Sequence, residues 1–192
     1  MKTLLVFGVV AMATTLTMGN LIVNPGFEDD PYEPTIPGWT LSGGAYIYDG
    51  NPYEGGFSLL LDGANQRAEQ SVLSLSGWQG STITASAWIN LYSEQFNPSA
   101  IFYFGAIQRD SLGDIISTHE SPGISTTTGF EQTVLGFTGA PELDRIEIYF
   151  RTDSGSGREF SVDNVSLVPE PSTMSMLGMG ALAILLRRRM RK

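Results

Sequence analysis

The sequence predicts an all-β fold, an antiparallel β-sandwich, on three observations. Between Asn20 and Val168 the apolar residues alternate with period two, and almost no stretch repeats at helical spacing. The apolar runs are short, about ten in number, by the strand lengths usual in globular proteins. Gly- and Pro-rich loops separate them, drawing on 22 glycines and 10 prolines in the chain. Ten short strands, several with one polar face, are best buried as two packed sheets.

In chain order, Leu21–Val23 is expected as a short strand stopped by Asn24-Pro25-Gly26 and resumed by Phe27-Glu28. Asp29–Gly38 holds three prolines and reads as a loop. Trp39–Leu41 and Ala45–Tyr48 form an expected hairpin across Ser42-Gly43-Gly44, and a second loop follows from Asp49 to Gly56. Phe57–Leu61 and Ala68–Leu73 flank the turn at Asp62-Gly63. From Thr82 to Leu91 the alternation sends Ile83, Ala85, Ala87, Ile89 and Leu91 to the core and Thr82, Thr84, Ser86, Trp88 and Asn90 to the other face. Ala100–Arg109 carries large residues on both faces, with Ile101, Tyr103 and Ile107 opposite Phe102, Phe104 and Ala106, as an inner or groove-lining strand does. Ile115–Ser117, Thr133–Thr138, Arg145–Arg151 and Phe160–Val168 complete the series.

Some 150 residues between the two ends suffice for one domain with a real core. There is no cysteine, so packing or a bound ion must supply the stability. Between Asn20 and Pro171 five arginines face twenty Asp and Glu, a net charge of −15. Such a body repels phosphate backbones, which excludes nucleic acid as a partner, and it suits calcium, neutral glycans and solubility.

Both ends read as export segments. Met1-Lys2 is a minimal charged region, Leu4–Val10 an apolar one, and Ala11-Met12-Ala13 a small-x-small site. Cleavage falls after Ala13 or after Gly19; the second is preferred because it removes all the unpartnered apolar sequence, giving a signal peptide of residues 1–19 and a domain of residues 20–168. The last stretch joins Pro169, Glu170 and Pro171 to an apolar run from Met174 to Leu186 and then to Arg187, Arg188, Arg189, Arg191 and Lys192. As a helix the run reaches roughly 20 Å, short of the ~30 Å hydrocarbon core, so spanning requires snorkelling flanks and a thinned bilayer. The basic cluster stays with anionic headgroups on the cytoplasmic side.

Residues 168–192, with this Val-Pro-Glu-Pro-Ser lead, short Gly/Ala/Leu run and terminal arginines, resemble the PEP-CTERM sorting tail of Gram-negative bacteria that secrete an exopolysaccharide matrix. The resemblance implies recognition of the 169–192 tail by an exosortase-type membrane protease, transient anchoring in the inner membrane through a short hydrophobic helix, cleavage near Pro-Glu-Pro, and delivery to the cell surface or matrix.

A second resemblance covers the domain. Asn20–Glu28 (NLIVNPGFE), Gly38-Trp39, Gly55–Leu59, Gln70–Val72 and Phe160–Leu167 (FSVDNVSL) follow one another as in the carbohydrate-binding-module jelly rolls, the galactose-binding-like sandwiches. The match implies a structural calcium held by Glu28 of the first strand and Asp163 of the last, with Asn164, Asp49 and Glu54 as weaker candidates. Calcium takes six to eight hard oxygens, which two carboxylates and carbonyls of the Asp49–Gly56 loop would supply. The alternative is that Glu28 and Asp163 cap turns at a sheet edge.

Sugar faces stack on aromatic rings while polar neighbours take the hydroxyls. Trp88, with polar strand neighbours, leads the candidates; Tyr92, Tyr103, Tyr149 and Trp39 are companions, and Gln108, Arg109 and Arg151 hydroxyl partners. A solvent-facing Trp88 beside Arg or Gln favours a binding module, and a Trp88 covered by a loop favours a structural or adhesion protein without a small ligand. No catalytic site is expected. His119 is the only histidine and reads as a turn residue with Glu120, Ser121, Pro122 and Gly123, and neither a short Ser-His-Asp arrangement nor an H-E-x-x-H spacing is present.

Overall fold

The computed structural model describes residues 19–29, 35–93, 101–125, 127–153 and 159–170. Ten strands lie in two five-stranded antiparallel sheets packed face to face. They are β1 (Thr40–Ser42), β2 (Tyr46–Tyr48), β3 (Ser58–Leu61), β4 (Arg67–Val72), β5 (Thr82–Ser93), β6 (Phe102–Arg109), β7 (Ile115–Glu120), β8 (Glu131–Thr138), β9 (Arg145–Thr152) and β10 (Glu159–Pro169). One sheet has the order β1-β4-β9-β6-β7 and the other β2-β3-β10-β5-β8. Apart from one turn of 3-10 helix at Ser76–Trp78, the regular structure of the described residues is all strand.

The alternation expected in the sequence sets the core. Ile83, Ala85, Ala87 and Ile89 of β5 and Val162 and Leu167 of β10 face Phe102, Phe104 and Ala106 of β6 and Ile146, Ile148 and Phe150 of β9. Phe150 stacks on its cross-strand neighbour Phe104 at 5.1 Å, and Phe102 meets Phe160 at the same distance, so the second pair bridges the two sheets. Trp39 belongs to this core and not to a binding face. It is buried against Phe27 and Phe150, and its Nε1–H donates to the Asn24 carbonyl at 3.2 Å.

Three local expectations are corrected. Leu21–Val23 and Phe27-Glu28 form no strand, because Asn24 (φ 48°) and Phe27 (φ 58°) take left-handed backbone and Pro25 has no N–H to donate. Two backbone bonds still fasten the segment to β10, Leu21 N–H to the Leu167 carbonyl at 3.2 Å and Val165 N–H to the Pro25 carbonyl at 2.8 Å. β1 and β2 are not a hairpin. Gly43 (φ 70°) and Gly44 (φ 96°) turn a corner that carries the chain from one sheet to the other, where β1 pairs with β4 and β2 with β3. β7 runs on to Glu120, so His119 sits in a strand: its ring stacks on Phe137 at 4.7 Å and its Nε2 meets Gln108 Nε2 at 3.0 Å and Ser117 Oγ at 3.1 Å. Burial holds its pKa below the ordinary histidine value.

Candidate ligand-binding face

On β4, β9, β6 and β7 the residues that point away from the core form one continuous outer face. The registers Arg67↔Arg151↔Tyr103 and Glu69↔Tyr149↔Gly105↔Glu120 place these side chains in two neighbouring rows across the four strands. Gly105 makes room for the second row: a Cβ there would lie 2.1 Å from Tyr149 Cζ, so the tyrosine ring lies across the β6 backbone.

Two arginines cover the two tyrosines. The Arg67 guanidinium lies 4.3 Å from the Tyr149 ring centroid and that of Arg151 3.9 Å from Tyr103. Carboxylates hold the arginines in place. Arg151 Nε and Nη2 donate to the two oxygens of Glu120, each at 2.8 Å, in a bidentate pair, and the Tyr149 hydroxyl donates to Glu120 Oε1 at 2.8 Å. Arg67 pairs with Glu69 and, at 2.6 Å, with Glu147, whose other oxygen receives Arg109 at 3.2 Å. All four basic side chains of the described residues, Arg67, Arg109, Arg145 and Arg151, belong to this face, by the alternation of β4, β6 and β9. The Nε of Arg145 is buried with no hydrogen-bond partner among the described residues.

The electrostatics follow from these contacts. The Arg151 bond holds the Glu120 carboxyl below its usual range, with the Tyr149 hydroxyl adding to the effect. Burial, then Glu120, pushes Tyr149 up to about 12, so its hydroxyl stays a donor. Burial works against the Arg67 charge, but Glu69 and Glu147 outweigh it and leave the guanidinium above its ordinary value.

Of the residues expected to bind ligand, Tyr103, Tyr149, Arg109 and Arg151 meet on this face, and Trp88 does not. Trp88 is on the outer face of the other sheet, where Tyr53 of the Asp49–Gly56 loop stacks on it at 4.1 Å and 10°, with Phe130 edge-on to Tyr53 at 5.5 Å. A loop therefore covers it. Tyr92 is in β5 of that same sheet, and its side chain lies outside the described residues. Gln108 points inward, 1% exposed, holding Thr138 and Ala140 backbone groups. The sequence reading missed Arg67, Glu69, Glu120, Glu147 and Gly105. Their signal was a glycine inside a strand and charges at alternate strand positions.

Glu28 and Asp163 converge on the Tyr53 loop. Asp163, fully buried, accepts the Tyr53 and Glu54 N–H groups on Oδ2 at 2.8 and 3.0 Å and the Asn164 N–H on Oδ1 at 2.6 Å. Glu28 uses Oε1 alone for the Gly56 and Phe57 N–H groups, both at 2.9 Å. Burial raises the Asp163 pKa, its amide partners lower it, and the like charge of Glu28 raises it further. This pair fits a cation in part. Two hard carboxylates sit in mutual electrostatic reach, but the loop turns N–H groups toward them, and the Asn51 carbonyl is taken by the Ser58 and Ser161 hydroxyls. No group of three His, Cys, Asp or Glu side chains able to hold a metal occurs among the described residues.

The comparisons with known proteins bear on both the domain and the tail. Residues 167–189 match the PEP-CTERM protein-sorting motif. The C-terminus therefore carries a protein-sorting signal, which indicates an exported protein. Pro169 closes β10, whereas Pro171, Arg187, Arg188 and Arg189, like the apolar run and residues 1–18, lie outside the described residues. Among the described residues no helix is long and apolar enough to cross a membrane.

No curated protein sequence matches the chain. Solved structures do match over the sandwich. A CBM61 module in complex with β-1,4-galactotriose is 18% identical, with 79% of this chain and 99% of that one covered at a TM-score of 0.56. A CBM22 xylan-binding domain from Paenibacillus barcinonensis is 18% identical over 75% and 90% at 0.54. The enzymatically active domain of tailspike protein 4 from bacteriophage CBA120 is 17% identical at 0.61, but this chain spans only 21% of it. At such identities the likeness is one of fold, the jelly roll of carbohydrate-binding modules.

Proposed function

We propose that this is an exported, non-catalytic binding module of the cell surface or extracellular matrix, holding exopolysaccharide on the outer face of the β1-β4-β9-β6-β7 sheet. Its tail is read and processed by an exosortase-type membrane protease, with transient anchoring in the inner membrane of a Gram-negative host before processing. The carrying observation is that Arg67, Arg109, Arg151 and two tyrosines gather, locked by three glutamates, on one face, while the stretch from Asn20 to Pro171 has a net charge of −15. Fixed guanidinium donors, carboxylate acceptors and a tyrosine hydroxyl supply the paired donors and acceptors that sugar hydroxyls require, with little ordering left for a ligand to impose. Affinity gels containing the host's extracted exopolysaccharide test the reading. Wild-type protein should be retarded and Arg151→Ala should migrate as in a plain gel; equal migration of wild type in both gels overturns it.

A structural or adhesion role without a small ligand has its own support. Arg67 and Arg151 cover ring faces that sugars would stack on, and Tyr53 covers Trp88. Under that reading no glycan retards the protein, and matrix from a deletion strain is mechanically weaker.

We further propose one structural calcium at Glu28 and Asp163, completed by carbonyl and water oxygens. The ion would neutralise two like charges and fasten the Tyr53 loop to β10. Calcium titrated into metal-stripped protein should raise Tm by several degrees, about 2.7 kcal/mol at a hundredfold excess over Kd. Asp163→Ala should abolish the gain and Asp110→Ala should keep it. No heat of binding at millimolar calcium would leave both carboxylates as anchors of loop amides.

A further inference from the structure

The sorting motif begins inside the folded domain. It starts at residue 167, whereas β10 continues to Pro169 as the middle strand of its sheet. Leu167, Val168 and Pro169 pair with Ala85, Thr84 and Ile83 of β5. The Glu170 N–H donates to the Thr82 carbonyl at 2.8 Å, and Thr84 Oγ1 donates to Glu170 Oε1 at 3.0 Å. Leu167 is fully buried and Pro169 is buried. The other edge of β10 is engaged as well. Asn20 Oδ1 accepts the Leu167 N–H at 3.0 Å, Asn20 Nδ2–H donates to the Val165 carbonyl at 2.7 Å, and Leu21 N–H bonds the Leu167 carbonyl.

A peptide chain enters a protein groove in extended form by offering its backbone donors and acceptors to the partner. The backbone groups of Val165 and Leu167 are taken by the Asn20–Pro25 segment, Val168 pairs with Thr84 of β5, and the Glu170 N–H is held by the Thr82 carbonyl. Freeing Pro169 and Glu170 costs two exposed bonds and a little apolar surface; freeing Leu167 opens the core. The resistance therefore rises steeply over three residues.

We propose that the sandwich withholds residues 167–170 from the processing protease, so that the bond cut lies C-terminal to Glu170 and the mature chain keeps Leu-Val-Pro-Glu, with Thr82 and Thr84 as the residues that hold it. In that step one peptide bond breaks. Its carbonyl carbon takes the oxygen of water or the nitrogen of an amine acceptor, and the arginine-bearing peptide leaves with the proton on its new amino group. The same contacts couple processing to folding, since a chain whose β10 has not paired with β5 offers Pro169 and Glu170 freely. The inference rests on the processing reading above, and the following measurements separate the two.

Mass spectrometry of the mature protein from its host should place the C-terminus at Glu170 or beyond it; a majority ending before Glu170 overturns the proposal. Hydrogen exchange on the purified full-length chain should show the Glu170 amide protected in wild type and less so in Thr84→Val, while exchange at the free-peptide rate in wild type overturns it. A six-residue Gly/Ser insertion between Val168 and Pro169 releases the Pro-Glu pair without touching the buried Leu167. Pulse-chase in the host should then show several-fold faster loss of precursor, and an equal or slower rate counts against the proposal. Intact Arg187–Lys192 on most surface molecules, with Glu170 still protected, refutes processing and leaves the occlusion standing.

Discussion

Alanine at position 105 would put its Cβ 2.1 Å from the tip of the Tyr149 ring, and the ring is what must move. Gly105→Ala should therefore cost about 1–2 kcal/mol by denaturant unfolding, and it should free the Arg151–Glu120 pair from the tyrosine hydroxyl. Glu120 carries a pH signature of its own. Its folded pKa is depressed by Arg151, so the pair stabilises the protein above the ordinary carboxylate pKa, and that contribution is lost as pH falls through the lower folded value. Glu120→Gln should be less stable than wild type at neutral pH by about 0.5 kcal/mol, since the pair is partly solvated, and the gap should close toward acid pH. A gap that widens on acidification would contradict the assignment. Tyr103, Tyr149, Arg109 and Arg151 were visible in the sequence as residue types on strands. What they do together was not, because the cover of each ring by a guanidinium depends on which strands are neighbours, and β4, β9 and β6 are far apart along the chain.

β5 shows how far strand periodicity reaches. Its alternation placed Ile83, Ala85, Ala87 and Ile89 in the core and Trp88 outside, as found, because period two is a property of the strand alone. What covers Trp88 is a property of the Asp49–Gly56 loop, and that loop's path is fixed by Asp163 and Glu28, distant in sequence from it. Trp88→Ala should thus lower stability by about 1–3 kcal/mol through loss of the Tyr53 stack while leaving polysaccharide retention unchanged. Thermal melts beside affinity gels check both halves, and loss of retention with an unchanged melt would return Trp88 to the binding face. The expected β1-β2 hairpin failed for a related reason. Two glycines between short strands look alike whether the chain reverses within a sheet or turns from one sheet to the other.

For the whole molecule, the class of fold and the sorting tail were legible early, the first from short alternating strands and the second from three parts in fixed order. Strand order was not, since it depends on contacts between residues more than a hundred positions apart, such as Leu59 of β3 with Val162 of β10. The two ends of the domain meet at β10, so the segment that would follow signal removal abuts the segment that leads into the tail. A glycan array read with wild-type protein, Arg151→Ala and Trp88→Ala tests most directly whether the arginine-tyrosine face is the site. The account predicts that wild type and Trp88→Ala bind the same glycans and that Arg151→Ala, still folded by its melt, binds none. Binding kept by Arg151→Ala and lost by Trp88→Ala would contradict it.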